Sequence, residues 1–400
     1  MKKWGLVVLA GLLSTTAMAG INIPSNGSDG QLYVTSNTQI DLSQAITSAW
    51  DTDNSANAGK GVYDSNKWAV VFHYTNVYVA SGATVTFKNH PSRAPVVWLV
   101  DGDVTIDGTV SLDGGGSIEA PGIPEPGPGG FRGGLGAMTG GDQGAGFGPG
   151  GGIRRAGIAS HGTVGDYGVP AYGNRSLLPL IGGSGGAGLG RSGSSGGGAI
   201  LVASSQTISL SGSISADGGW KFDAGHGSGG GIRLIAESLI GNGQISAMRH
   251  EGTGGAGEGR IRIERVSGSG TQSILPTPSL VALDPGATPQ IWVPGDGPSV
   301  RIASIGGHSA PIDPRARFGL QGADVQLLTS SSTQVIIETR NVEDTSDVIV
   351  RVTPLGGADY STHNASVHEV VSTDPLIIRW QANVPVQLGH SAMQVRVVRP

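Results

Sequence analysis

Residues 197–220 read GGAILVASSQTISLSGSISADGGW, and the same phrase recurs along the chain. Residues 97–116, VWLVDGDVTIDGTVSLDGGG, are an earlier copy. Val104, Ile106, Val110, Leu112, Asp113 and Gly114 reappear as Ile208, Leu210, Ile214, Ala216, Asp217 and Gly218, each 104 positions on. A third copy is GGIRLIAESLIGNGQISA (230–247), and a truncated fourth is GRIRIERVSGSG (259–270). Within 199–216 the strand-like pieces are AILVA, TISLS and SISA, separated by turn residues. Side chains alternate at period two, so Ile208, Leu210, Ile214 and Ala216 share one face and Ser and Thr take the other. Such a unit cannot bury its apolar face alone and must stack on its neighbours. The expected fold is therefore all-β: a parallel β-solenoid, β-helix-like, over residues 20–275. Val104, Ile208 and Leu239 would line one interior, as would Val110, Ile214 and Ile245. The pattern does not fix strand direction, and an antiparallel meander or sandwich would use the same strands.

Between the first two copies lies a Gly-rich insertion, about 113–198. Residues 111–200 hold 33 Gly, with Pro at 121, 124, 126, 128, 149, 170 and 179 and no G-X-Y period, which excludes collagen. Gly loses the most backbone entropy on folding. Mostly irregular structure is expected here, pinned by Phe131, Leu135, Phe147, Leu177, Leu178 and Leu180. The alternative is an ordered layer of extended backbones bonded to one another, which Gly permits because no Cβ intervenes. Residues 276–296 read as a Pro-rich linker, exposed and open to protease. From 297 to 400 come seven alternating runs: SVRIASI, ADVQLLT, QVIIETRNV, DVIVRVT, ASVHEVV, LIIRWQA and AMQVRVVR. This is the pattern of a C-terminal β-sandwich, fibronectin- or Ig-like but without the antibody Cys pair.

Met1-Lys2-Lys3, the short apolar run Trp4 to Leu13 and Ala17-Met18-Ala19 form the three regions of a secretory signal peptide over 1–19. Cleavage is expected between Ala19 and Gly20, and the run is too short for a transmembrane helix. The chain has 70 Gly, 22 Pro and no Cys, so no disulfide supports it outside the cytoplasm. Without Lys2 and Lys3, 23 basic residues face 30 acidic ones, a charge of −7 that argues against nucleic acid as a partner. The expected location is extracellular or the cell surface, with the periplasm as the alternative.

The succession VASGATVTF, DGDVTIDGTVSLDGGG, a Gly-rich insertion, GGGAILVAS…ISADGG, GGGIRLIA…GQISA and GRIRIE resembles a group of Gly-rich exported bacterial proteins with β-helix-like repeats. Most of that group are cell-surface proteins of uncharacterised activity. The resemblance covers roughly residues 75–270. It implies a β-helix-like fold and an extracellular or envelope location, and it supplies no catalytic residues.

Candidate chemistry is sparse. Asp101, Asp103, Asp107 and Asp113 form the densest acidic run, and paired carboxylates can cleave glycosides. Three of them adjoin Gly at strand ends, where Asp caps turns. Asp51, Asp53, Ser55 and Asn57 offer oxygens at alternate positions, as calcium loops do, but Ala56 and Val62 stand where an EF-hand needs Gly and Glu. A solvated loop is the simpler reading, and no other cofactor is implied. His226, His250 and Glu251 lie in equivalent loops and could share a metal, or stay solvated. The Gly-x-Gly-x-x-Gly-like spacings in 182–198 precede no helix and arise by chance in so Gly-rich a stretch. Trp68, Trp98, Trp220, Trp292 and Trp380 suit core packing or sugar binding.

Three functions follow. The first is an exported structural or adhesive surface protein, its solenoid a scaffold and its sandwich a module for binding an envelope protein or surface polysaccharide, or for anchoring. The alternatives are a β-helix carbohydrate-active enzyme, a polysaccharide lyase or hydrolase, and a carbohydrate-binding module. Catalysis needs positioned groups in a pocket, and each acidic cluster here has a turn explanation, so the non-enzymatic reading is the expected one.

Overall fold

The computed structural model describes residues 20–136, 143–221, 223–249, 257–314, 322–328, 331–356 and 359–400. The signal segment 1–19 and the metal candidates His250 and Glu251 lie outside them. The protein is all-β, and helical geometry among the described residues is confined to short 3-10 turns.

The repeated phrases pair in parallel. Ile208 stands beside Val104 on one side and Leu239 on the other, and Ile214 stands between Val110 and Ile245. The 104-residue spacing of the sequence is thus a spatial register. Two stretches not recognised as copies join the same arrangement: Gly30–Val34 with Thr38–Asp41, and Ala69–Val79 with Thr84–Lys88. The first two pieces of a phrase, such as Ala199–Ser204 and Thr207–Leu210, enter a large sheet. The last piece, such as Ser213–Ser215, enters a six-stranded parallel sheet running from Thr38–Asp41 to Ser273–Leu275. The faces of the two sheets share one apolar core, in which Val85, Val110, Ile214 and Ile245 meet Val104, Ile208, Leu234 and Leu239.

The large sheet contains a feature that the repeat did not announce. Ala69–Val79 pairs with both Val96–Val100 and Val104–Ile106, and Gly231–Ile240 pairs with both Ala199–Ser204 and Thr207–Leu210. The four shorter strands also pair among themselves, so six parallel strands form a closed circuit. The cause is local. Asp101-Gly102-Asp103 and Ser205-Gln206 interrupt two phrases, whereas the flanking strands run through. A simple solenoid coil has no such circuit.

The Gly-rich insertion holds no strand, yet it is bonded throughout its described length. Gly182, Gly185 and Gly188 donate to the carbonyls of Gly129, Phe147 and Gly144. Gly183 and Gly186 donate to Gly197 and Ser194, and Ala187 to Gly157. Gly185 and Gly188 thus turn to one neighbouring segment, 144–147, and Gly183 and Gly186 to another, 194–197, the three-residue period of a polyproline-II helix. Residues 193–198 repeat the pattern. Gly193 and Gly196 reach Gly134 and Phe131, Ser194 and Gly197 reach Gly225 and Ser228, and Ser195 and Gly198 reach Gly115 and Leu112. The expectation of irregular structure is corrected: the backbone amides that a loop would leave to water are satisfied by parallel and antiparallel neighbours. Phe147 and Leu177 are buried as expected, whereas Leu180 lies half-buried against the outer apolar cluster.

The stretch 276–296 is not a free tether. Ser279–Ala282 pairs in parallel with Arg260–Gly268, and Ile291 and Trp292 pack with Ile21, Val71 and Leu201 on the outer face of the large sheet. Pro sits at a sheet edge without cost, which is why a Pro-rich composition did not mean an unpaired chain.

Beyond it, seven antiparallel strands run from Ser299–Ile305 to Ser391–Val398. Ser361–Thr373 pairs with Asp347–Pro354 through its first half and with Leu376–Pro385 through its second, bridging two groups of strands. Val335, Ile337, Ile378 and Trp380 from one group share a core with Val348, Val350 and Val352 from the other. Residues 322–328 of the expected run ADVQLLT contain no strand: Leu327 packs on this core, while its neighbour Leu328 is exposed.

One side chain joins this sheet to the Gly-rich layer. Arg351, 7% exposed, donates from Nη1 to the carbonyls of Gly148 (2.9 Å) and Pro149 (3.1 Å), and from Nη2 to Gly146 (3.1 Å). Its guanidinium also lies 3.6 Å over the Tyr360 ring. Burial lowers its pKa to about 10, which still leaves it charged at neutral pH. Carbonyl dipoles and a ring face solvate the charge. Arg351→Met should cost about 3 kcal/mol, because it removes a buried charge-assisted donor from the Gly146 and Pro149 carbonyls and a second donor from Gly148, which keeps only Gly151 N. Calorimetry should then resolve separate transitions for the two parts, where the wild type gives one. A single unshifted transition would refute the clamp.

Candidate functional site

The acidic run in the first phrase is structural, but not in the way turn chemistry suggested. Asp103 Oδ1 accepts from Thr207 N (3.0 Å) of the next phrase. Asp113 Oδ1 accepts from Asp217 N (2.7 Å), and its Oδ2 accepts from Ser111 and Ser215 hydroxyls. Asp217 Oδ1 in turn accepts from Met248 N (2.7 Å) and Ser246 Oγ (2.6 Å). These carboxylates staple successive phrases at one corner, so the turn-capping role extends across the stack.

The Trp residues divide between packing and a partly open pair. Trp98 is fully buried, and Trp380 is buried with its Nε1 donating to Thr339 Oγ1 (2.8 Å). Trp68 donates to the Ser92 carbonyl (3.1 Å), and Trp220 lies edge-on to His226. Trp292 packs 5.5 Å from Trp50, with Lys67 over its outer face.

Beneath that pair the loop proposed for calcium folds over the large sheet. Trp50–Thr52 and Ser55–Asn57 are 3-10 turns, with Asp53 between them. Asp51 and Ser55 face solvent, while Asp53 turns inward and is 4% exposed. Its Oδ1 accepts from Asn54 N (2.8 Å) and Asn57 Nδ2 (3.3 Å). The four oxygen-bearing residues thus divide between surface and interior. Among the described residues no group of three or more His, Cys, Asp or Glu converges as a metal site would require.

Asp53 meets Asp29, a residue that sequence reasoning passed over. Asp29 Oδ1 accepts from Gly59 N (2.8 Å) and Gly61 N (3.3 Å), and Oδ2 from His73 N (2.7 Å). Its pKa is raised from 3.8 to about 7, chiefly by burial and further by the charge and hydrogen bond of Asp53. Asp53 Oδ2 is itself buried and has no other hydrogen-bond partner among the described residues. His73 lies beside them on Ala69–Val79: Asn26 N donates to its Nδ1 (3.4 Å), and its Nε2 donates to the Trp50 carbonyl (2.8 Å), fixing a neutral tautomer. The Trp50 ring stacks on the imidazole at 6.1 Å. An Asp before Gly at a turn gave no signal of this arrangement, because its partners lie 24, 30, 32 and 44 positions away.

The sign of the pH dependence follows. Asp29 holds its proton more tightly folded than unfolded, so its contribution is complete below about pH 4 and is lost as the pH rises through about 7. Asp53→Asn places an amide donor against Asp29 and removes the neighbouring charge. The variant should therefore lose less stability than wild type between pH 4 and 7, a difference on the order of 2 kcal/mol. Urea midpoints across that range test it, and parallel curves would refute the influence of Asp53 on Asp29.

A second polar feature lies on the C-terminal sheet. Arg301, Ser309, Glu338, His368, Glu369 and Arg379 line an open groove of about 390 Å³. Arg301 Nη2 donates to Glu338 (2.7 Å) and Arg379 Nη1 to Glu369 (2.6 Å). No family model, curated protein or solved structure matches this chain. No helix among the described residues is long and apolar enough to cross a membrane.

Proposed function

We propose that this protein is an exported scaffold of the cell surface, a β-solenoid-like stack that carries its C-terminal module as a partner-binding or anchoring head. The observation that carries this reading is the Arg351 clamp. A binding head needs a fixed base, and Arg351 ties the antiparallel strands to the Gly-rich layer through three backbone carbonyls. The strands 297–400 form a sandwich-like module whose charged groove faces outward. Alternating Arg and Glu there suit an envelope protein or a charged surface polysaccharide. The six-strand circuit is the continuous face of the stack, closed in its pairing because two phrases are interrupted where their neighbours are not.

The test combines location with binding. Fractionated cells should carry the chain on their surface or in the medium, starting at Gly20. Purified protein should bind envelope material, and Arg301→Ala with Arg379→Ala should reduce that binding at least tenfold. Recovery only from the cytoplasm, or binding indifferent to the groove, would overturn the reading. A carbohydrate-active reading is favoured by one observation, the Asp29–Asp53 carboxyl pair near Trp50, in which the Asp29 pKa is raised to about 7. Incubation with plant, algal and bacterial polysaccharides, with and without calcium, decides it. Release of reducing ends or unsaturated products that Asp29→Asn abolishes would replace the scaffold with an enzyme.

A further inference from the structure

Glu237 is a buried carboxylate without a counterion. It is 7% exposed, and among the described residues neither side-chain oxygen has a hydrogen-bond partner. Arg233 and Arg262 both bond Glu264, and Arg233 also donates to the Gln290 carbonyl, with only its buried Nη1 left unpartnered among the described residues, four positions along the strand from Glu237. A charge in such a place is costly unless something of opposite sign meets it.

The chain's own N-terminal end lies beside it. Ile235, two residues before Glu237 and on the same face, packs with Ile21 and Ile23. Ile235 is in register with Ala203, and Glu237 N donates to the Gln206 carbonyl (2.9 Å), so Glu237 stands next to Ser205 and Gln206. Ile21 N donates to the Ser205 carbonyl (3.1 Å), and a Cβ placed on Gly20 would stand 2.8 Å from Gln206 Nε2. Gly20 and Glu237 therefore flank the same two residues. We propose that cleavage after Ala19 creates the missing counterion: the α-ammonium of Gly20 pairs with Glu237. The inference rests on the export reading. Hydrolysis of the Ala19–Gly20 peptide bond consumes one water, leaving a carboxylate on Ala19 and an ammonium on Gly20. A group that is neutral in the precursor becomes a charge beside a carboxylate whose two oxygens lack partners among the described residues. Signal removal then contributes directly to the stability of the folded chain.

The test is a double-mutant cycle on the full mature chain, prepared by site-specific proteolysis of a fusion so that it begins at Gly20. It is compared with the same chain preceded by a single Ser, each with Glu237 or Glu237→Gln. The extra residue should lower the melting temperature of the Glu237 chain by at least about 2 °C, and should leave the Glu237→Gln chain unchanged. Arg265→Gln, which removes the cation in register with Ala236, should preserve that coupling. Additive effects, an extended chain as stable as the mature one, or coupling that vanishes with Arg265→Gln would each overturn the pairing. Mass spectrometry of exported material separates the two ideas. A start elsewhere than Gly20 refutes the cleavage position, while the cycle still reports on the ion pair.

Discussion

Gly146→Ala should destabilise the protein by about 3 kcal/mol or more, although it adds one methyl group to a position whose backbone conformation alanine can adopt. A Cβ at residue 146 would fall on the carbonyl oxygen of Gly185. That carbonyl accepts from Gly152 N (2.9 Å), while Gly146 N donates to the Gly152 carbonyl (2.8 Å) and Gly185 N to Phe147 (3.0 Å). Two backbones would have to separate, and the bonds that satisfy both would lengthen together. Gly146 also offers its carbonyl to Arg351 (3.1 Å), so the displacement reaches the clamp on the C-terminal strands. Gly190→Ala is the control, since Gly190 is exposed with open space where its Cβ would go. It should be neutral within about 0.5 kcal/mol. Urea midpoints measure both. Equal effects at the two positions would mean that the insertion is a loop after all.

Ile214→Asp should be more damaging still, above about 4 kcal/mol and enough to prevent folding. Ile214 is fully buried between Val110 and Ile245 in the small parallel sheet, facing the core shared with the large one. A carboxylate there has no donor within the apolar stack. Ile214→Ala, which removes volume without adding charge, should cost about 2–5 kcal/mol and still fold. Stability of the aspartate variant within about 0.5 kcal/mol of wild type would mean that Ile214 is a surface residue.

These two residues show how unevenly the fold was written in the chain. The interior position of Ile214 was legible because period two and a 104-residue repeat are both patterns along the sequence. The ordered Gly-rich layer was not, since 33 Gly in 111–200 serve a flexible loop and a close-packed layer equally well. The decision rests on which segments lie alongside, and segment 193–198 finds its partners at 112–115, 131–134 and 225–228. Arg351 within DVIVRVT read as an ordinary strand residue, because its acceptors are about 200 positions earlier. Glu237 shares its face with Arg233 and Ile235, opposite Ile232, Leu234 and Ala236, and that second face is buried under the outer apolar cluster. The calcium reading of residues 51–57 took the alternation of oxygens as convergence, whereas two 3-10 turns send Asp51 and Ser55 outward and Asp53 inward.

By itself the sequence determined that this chain is all-β, which residues face the shared core, and which phrases stand side by side. Those properties follow from side-chain alternation and repetition, and both act over a few residues. Only the tertiary structure decided the closed circuit of six strands, the threefold bonding of the Gly-rich layer, the Arg351 clamp, the meeting of Asp29 with Asp53, and the place of Glu237 beside Gly20. Each of these joins groups far apart in the chain. A buried charge or an unpaired amide is satisfied by whatever the fold brings near it, and nothing local in the sequence carries that information.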